Sequence, residues 1–141
     1  MKKLLLILIP IFLISVFALK TPPLKDKLDG PQFCGSCHFM GPWAQTWYHS
    51  AHREVASCND CHIPHDFVRG SFYKAYTGSR DVVLTIAGKV PTAFYITEHG
   101  SQVVHENCLS CHGELMRIVG DTKKGGGKYC FECHRNTPHT L

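Results

Sequence analysis

The longest hydrophobic stretch of the chain lies at its start, where sixteen residues from Leu4 to Leu19 carry no charged side chain. As a helix this stretch measures about 24 Å, and a full membrane span usually takes roughly 20 residues. Its length allows two interpretations, a signal peptide cleaved near Ala18 or an uncleaved membrane anchor. Bulky Phe17 and Leu19 and the lack of an A-x-A pattern favour the anchor, which we place at residues 1–20.

After this stretch, polar and apolar positions alternate in short, interrupted runs. Residues 21–33 are polar and proline-containing, which indicates a linker. The pattern predicts helices over 42–56, 66–76, 81–87 and 101–108, with Gly78 ending the second and Ser79 capping the third. Residues 120–128 are rich in Gly and Lys but lack the phosphate-loop spacing, so they are interpreted as a solvated turn.

Four C-x-x-C-H motifs use all eight cysteines of the chain. They are Cys34–His38, Cys58–His62, Cys108–His112 and Cys130–His134. This motif is typical of haem c attachment, because the two thiols bond to the haem vinyl groups and the histidine lies under the iron. Paired C-x-x-C motifs also suit structural zinc, but zinc would leave four regularly placed histidines unexplained. We therefore expect four covalently bound haem c groups, held by Cys34, Cys37, Cys58, Cys61, Cys108, Cys111, Cys130 and Cys133.

A domain over 34–141 that holds four haems has little apolar core of its own, so its helices and loops should wrap around the haems. The expected fold is mostly α-helical with little regular structure, plus one N-terminal transmembrane helix. Haem attachment takes place outside the bacterial cytoplasmic membrane, so the haem domain is expected in the periplasm and the N-terminus inside. The formal charge of +4 falls to about −4 once two propionates per haem are counted, so it does not indicate a nucleic-acid partner.

Each haem iron needs one proximal ligand and can take a distal one. His62, His112 and His134 are the expected proximal ligands of haems 2, 3 and 4. Six other histidines remain as candidates for the opposite faces: His49, His52, His65, His99, His105 and His139. At the first motif, Met40 and His38 emerge on the same side of haem 1, so either of them, but not both, can bind that iron. A thioether ligand in place of imidazole would raise the reduction potential.

The motifs and their spacing resemble the NapC/NirT family of membrane-anchored multihaem quinol dehydrogenases, most closely its short members that serve as small subunit to a cytochrome c nitrite reductase. The segments that carry the resemblance are the N-terminal apolar stretch, Cys34–Met40, Ser50–His52, Cys58–His65 and Cys130–His139. The resemblance implies oxidation of menaquinol at the inner membrane. It further implies that electrons pass through four haems to a periplasmic partner, the multihaem catalytic subunit that reduces nitrite to ammonia.

The same resemblance implies roles for individual residues. Met40 would bind the iron of haem 1 in place of His38, His139 would be the distal ligand of haem 3, and His52 that of haem 4. Haem 2 would take a lysine from the catalytic subunit on its distal side.

Two further residues are implied to lie beside the quinol pocket, Asp81 as a proton acceptor and Lys74 close to it. From the sequence alone, Asp81 could also be a charge at a helix N-terminus, and Lys74 a solvated helix residue.

Two other functions stay open at this point. One is a soluble periplasmic tetrahaem carrier with a cleaved signal peptide, since six spare histidines would suffice for bis-histidine haems. The other is a reductase acting by itself, although the chain has no C-x-x-C-K site and no marked nitrite pocket.

Overall fold

The computed structural model describes residues 2–19, 21–37, 39–91 and 95–139. Over these residues the chain is helical and contains no strand. The helices are α1 (Lys2–Leu19), α2 (Pro22–Asp29), α3 (Pro31–Cys34), α4 (Gly41–Tyr48), α5 (Cys58–His62), α6 (Phe67–Ile86), α7 (Glu98–Met116) and α8 (Cys130–Cys133). The mostly α-helical class is confirmed. The content of regular structure is higher than expected, because helices take up most of the described chain.

Helix α1 confirms that the hydrophobic N-terminal stretch is helical. Its described side chains are exposed, including those of Leu5, Phe12 and Phe17. Among the described residues, no helix reaches the length and apolar character that crossing a membrane requires. The transmembrane span expected at residues 1–20 is therefore not supported by the structure.

The segment expected to be a linker folds into α2 and α3. Prolines occupy the first turns of both helices, where the missing N–H is tolerated. Asp29, at the end of α2, is buried and accepts a hydrogen bond of 2.7 Å from the Nδ2 of Asn59 in α5. This segment therefore packs against the second haem motif.

Helix α6 runs without interruption through Gly78, where a break was predicted. Asp66 caps its start by accepting a 2.7 Å hydrogen bond from the backbone N of Arg69. A glycine inside a helix costs only about 1 kcal/mol, which a helix of 20 residues accommodates. The predicted cap at Ser79 is therefore wrong, and Asp81 lies in the middle of a helix rather than at an N-terminus.

Helix α7 is the most buried element of the haem-motif region. It extends beyond the predicted 101–108 in both directions, and the Thr97 side chain caps it by accepting from the backbone N of Gly100. Val103 is 1% exposed and Asn107 6%. The Nδ2 of Asn107 donates to the carbonyls of Cys61 and Ile63, both at 2.9 Å, which fixes α7 to α5.

Two smaller predictions had different outcomes. The helix predicted over 42–56 begins at Gly41 but ends at Tyr48, and turns follow to residue 55. Residues 120–128 consist mainly of turns and are largely exposed, as the solvated-turn interpretation predicted.

Candidate functional site

The four C-x-x-C pairs are presented by short helical segments. Residues 58–62 form α5, residues 108–112 lie inside α7, and residues 130–133 form α8. In the first motif, Cys34 ends α3 and Cys37 follows in a turn. Helical residues three apart share a face, so the helical pairs present both thiols on one side. Two bonds to a single haem need this arrangement.

The motifs adjoin one another in chain order. The thiols of Cys34 and Cys58 are near enough to shift each other's pKa, and so are those of Cys108 and Cys130. Asn107, next to the third motif, bonds the carbonyl of Cys61 in the second. The four attachment sites therefore form one contiguous series.

The ionisation of these thiols reflects their neighbours. The neighbouring Cys58 thiol, aided by the charge of Lys74, outweighs burial and lowers the pKa of Cys34 to about 7. Burial, with Cys130 nearby, raises the pKa of Cys108 to about 11.

The residues present fit haem c better than zinc. All eight cysteines are free of disulfides. Within the described ranges, no group of three or more His, Cys, Asp or Glu side chains converges as a metal site would require. Paired thiols three residues apart, each pair followed by a histidine, match the covalent attachment of haem c.

His62 is suited to bind iron as a neutral imidazole. Although part of its surface is exposed, desolvation among the surrounding protein atoms, together with nearby His139, lowers the pKa of His62 to about 4. A histidine ligand must be unprotonated at the binding nitrogen. The ring is therefore neutral and ready to bind near pH 7.

His139 lies close to the second motif. Its ring centroid is 6.2 Å from that of His62 and 5.3 Å from that of Trp43, and the two planes of the Trp43 contact are at 86°. The Nδ1 of His139 is 2.8 Å from the Oγ1 of Thr46. Burial lowers the pKa of His139, and a hydrogen bond with the Trp43 carbonyl partly offsets this.

His52 lies close to the third motif, with its ring centroid 6.1 Å from that of His112. The structure therefore brings each predicted distal ligand beside the predicted proximal histidine of a different haem from the one that the resemblance implies. The ligand roles of His139 and His52 stay predictions.

The remaining histidines have protein partners. His105 is the most buried of them, 4% exposed, and its Nε2 is 2.7 Å from an oxygen of Asp121 while its Nδ1 is 3.3 Å from the Sγ of Cys130. The partners of the other three are the Gln45 carbonyl for His49, the Asp60 carbonyl and Ser110 hydroxyl for His65, and the Tyr73 ring for His99.

Met40 immediately precedes α4, and its carbonyl accepts from the backbone N of Ala44. Met40 as a whole is 38% exposed. His38 lies outside the described residues. The choice between Met40 and His38 at haem 1 therefore stays a prediction.

Lys74 and Asp81 lie on one face of α6, since seven residues make almost two helical turns. The Asp81 side chain is 69% exposed, with only a 3.5 Å contact to Arg80. Lys74 instead donates to the buried carboxylate of Asp29, which also pairs with Lys25 at 3.1 Å. Burial raises the pKa of Asp29, but the hydrogen bonds from Lys74, Lys25 and Asn59 outweigh burial. The pKa of this carboxyl therefore lies below its ordinary value of 3.8.

Three residues of this region were missed in the sequence. They are Asp29, which holds Lys74, Thr46, which contacts His139, and Asn107, which joins the second and third motifs. None belongs to a motif. For Asp29 the only available signal was its position shortly after Lys25 and Lys27.

Eight free thiols in four spaced pairs, on short helices and with neutral imidazole nearby, define a cytochrome of the c type. The NapC/NirT cytochrome c family model for the N-terminal region matches residues 1–141. The chain belongs to this family, as the sequence motifs had indicated.

Individual relatives are similar along most of the chain. The cytochrome c-type protein NrfH of Wolinella succinogenes is 36% identical over 77% of this chain and 68% of its own length. The cytochrome c nitrite reductase subunit NrfH of Nitratidesulfovibrio vulgaris is 37% identical over 89% and 78%. A chain in the crystal structure of the cytochrome c nitrite reductase NrfHA complex bound to the inhibitor HQNO superposes with a TM-score of 0.73, at 35% identity, and covers 94% of this chain and 90% of that one.

Proposed function

We propose that this chain is a membrane-anchored tetrahaem cytochrome c that oxidises menaquinol and passes the electrons to a periplasmic multihaem nitrite reductase. The contiguity of the four attachment sites carries the proposal, because electron transfer needs closely spaced cofactors. The relatives named as nitrite reductase subunits support the choice of partner. When bound, the four haems supply the one-electron redox chemistry.

The protein holds these groups through thiols and axial side chains. The eight cysteines bond the four haems, and His62, His112 and His134 are the proximal ligands. We assign Met40 to haem 1, His139 to haem 3 and His52 to haem 4, as the family resemblance implies. The Thr46 contact at one nitrogen of His139 is consistent with a ligand role for the other.

Quinol oxidation releases protons, and the face of α6 offers a group that can take one. Asp81 is exposed and bears no strong ion pair, so its carboxylate is accessible to a quinol hydroxyl. Lys74, two turns away, keeps its charge paired with Asp29. We assign Asp81 as the proton acceptor and Lys74 as a residue lining the same pocket.

Helix α1 is assigned as the membrane anchor of the inner membrane, with the haem domain on the periplasmic side. The exposed apolar side chains of α1 support this assignment, since large contiguous apolar surfaces mark membrane or protein contacts. The requirement for haem attachment outside the cytoplasm supports the sidedness.

Purification from detergent-extracted membranes through a C-terminal tag tests the proposal. We expect an intact N-terminus, a mass increase of four haems and a copurifying larger multihaem subunit with nitrite reductase activity. Recovery in the soluble periplasmic fraction, cleaved near Ala18 and without a partner, would instead establish a soluble carrier. Nitrite reduction by the isolated chain with an artificial donor would establish a self-sufficient reductase.

A further inference from the structure

One hydroxyl group determines where His139 carries its proton. The Oγ1 of Thr46 donates to the carbonyl of Trp43 at 2.8 Å and lies 2.8 Å from the Nδ1 of His139. A hydroxyl has a single proton to donate. Because the Trp43 carbonyl receives that proton, the Thr46 oxygen accepts from His139, and the imidazole proton lies on Nδ1. A neutral imidazole that is protonated on Nδ1 carries its lone pair on Nε2, the nitrogen that a metal ion would need.

The same helix also fixes the orientation of the ring. Trp43 and Thr46 are three residues apart in α4 and so share a face. Trp43 meets the His139 ring edge-on at 5.3 Å, and His139 is half-buried there. Two side chains of α4 therefore hold an imidazole that comes from the C-terminal end of the chain.

We propose that Thr46 is the positioning residue that presents the Nε2 of His139 to a haem iron. This inference rests on the proposed haem content and on His139 as a ligand. Histidine ligands almost always donate their second ring N–H to an outer partner, and loss of that partner typically lowers metal affinity or activity 10–100-fold. Thr46 is such an outer partner, because its oxygen accepts the hydrogen bond from the Nδ1 of His139. This holds whichever of the neighbouring haems His139 binds.

Carbon monoxide provides the test, because it competes with a distal histidine for reduced iron. The full-length protein with its four haems, purified in detergent and reduced, is titrated with carbon monoxide and followed by its absorption spectrum. We compare Thr46→Val, which keeps the shape but loses the hydroxyl, with Thr46→Ser, which keeps the hydroxyl. His139→Ala removes the proposed ligand altogether, so the haem that gains carbon monoxide binding in this variant is the one that His139 serves.

Thr46→Val should strengthen carbon monoxide binding about 10-fold at the haem that His139→Ala opens, while Thr46→Ser should titrate like the wild type. Unchanged binding in Thr46→Val, or equal changes in both Thr46 variants, would overturn the positioning role. If His139→Ala opens no haem, His139 is not a ligand and the inference fails. Failure of the proposed function is distinguishable, because it would be seen as a wrong haem count or as no reduction by quinol in the wild type.

Discussion

Helices α6 and α7 are nearly equal in length, with 20 and 19 residues, but they differ in what they bury. Helix α7 buries five residues, whereas α6 buries only Gly70. Three polar side chains of α7 are buried, those of Ser101, His105 and Asn107, and Asn107 donates to the carbonyls of the second haem motif. On α6, Lys74 reaches the buried carboxylate of Asp29, whereas Asp81 points outward.

This difference indicates that the two helices have different roles. Helix α7 carries the third motif and binds the second, so it sets the relative positions of the attachment sites. Helix α6 is held at its start, near Gly70, and by the Lys74–Asp29 pair, and its second half carries exposed Asp81. On our proposal, α7 is the scaffold for the haems and α6 is the surface offered to the quinol.

The largest effect is expected from Asp81→Asn, because an amide cannot take up the quinol proton. General-base catalysis typically contributes 10²–10⁴-fold, so quinol oxidation should fall by about 10²-fold or more. Turnover with a menaquinol analogue measures this. Asp66→Asn is the matched control, since asparagine caps the start of α6 as well as aspartate does. Equal turnover in the two variants would remove Asp81 from the mechanism.

Gly70→Ala tests whether α6 is fixed at its start. A Cβ at this position would lie 2.2 Å from the carbonyl oxygen of Pro64. Because that oxygen belongs to the backbone, relief of the clash would require a shift of the main chain. We expect a loss of about 3 kcal/mol in the free energy of unfolding, measured by chemical denaturation of the holoprotein. Gly78→Ala meets nothing within 4 Å and should stabilise the same helix by about 0.5–1 kcal/mol. Equal effects of both changes would refute the close contact at Gly70.

Asp29 should make the attachment of α6 sensitive to acid. Its pKa is held below 3.8 in the folded chain, so its carboxylate stabilises the fold above that pH and loses this effect as the pH falls through the folded value. Asp29→Asn should cost about 2 kcal/mol at pH 7. The difference from the wild type should shrink below about pH 3.8. A difference independent of pH would show that the Asp29 charge is not responsible.

The smallest effect is expected at the ion pair that links the two helices. Arg69 and Glu106 are 3.1 Å apart, with side chains 48% and 41% exposed. Exposed pairs contribute less than about 1 kcal/mol, so a double-mutant cycle of Arg69→Ala and Glu106→Ala should give a coupling in that range that weakens with salt. A larger, salt-independent coupling would mean that α6 and α7 act as one unit.

The attachment chemistry could be predicted from sequence, because it depends on covalent spacing. Two thiols three residues apart and a following histidine suffice to specify haem c, whatever the surrounding fold. The helical class followed from periodicity. The choice of Met40, His139 and His52 as ligands came from the family resemblance and not from residue identity, and it stays a prediction.

The errors in the sequence analysis have physical causes. Gly78 has little effect on a helix that is capped at Asp66 and extends over five turns. The prediction that glycine ends the helix at this position was therefore wrong. Asp29 lies in a segment rich in charge and proline, and only the long-range bonds to Lys74 and Asn59 reveal its burial. Likewise, Thr46 and His139 are 93 residues apart, and no local pattern connects them.

Reduction of the haems by quinol is the most direct test of the central claim. The detergent-purified wild-type protein is mixed with a menaquinol analogue in the absence of oxygen, and the haem absorption is followed in a stopped-flow instrument. We predict rapid reduction of bound haem, and a lag or loss of that phase in Asp81→Asn. Haems that dithionite reduces but the quinol leaves oxidised would contradict the assignment as a quinol dehydrogenase.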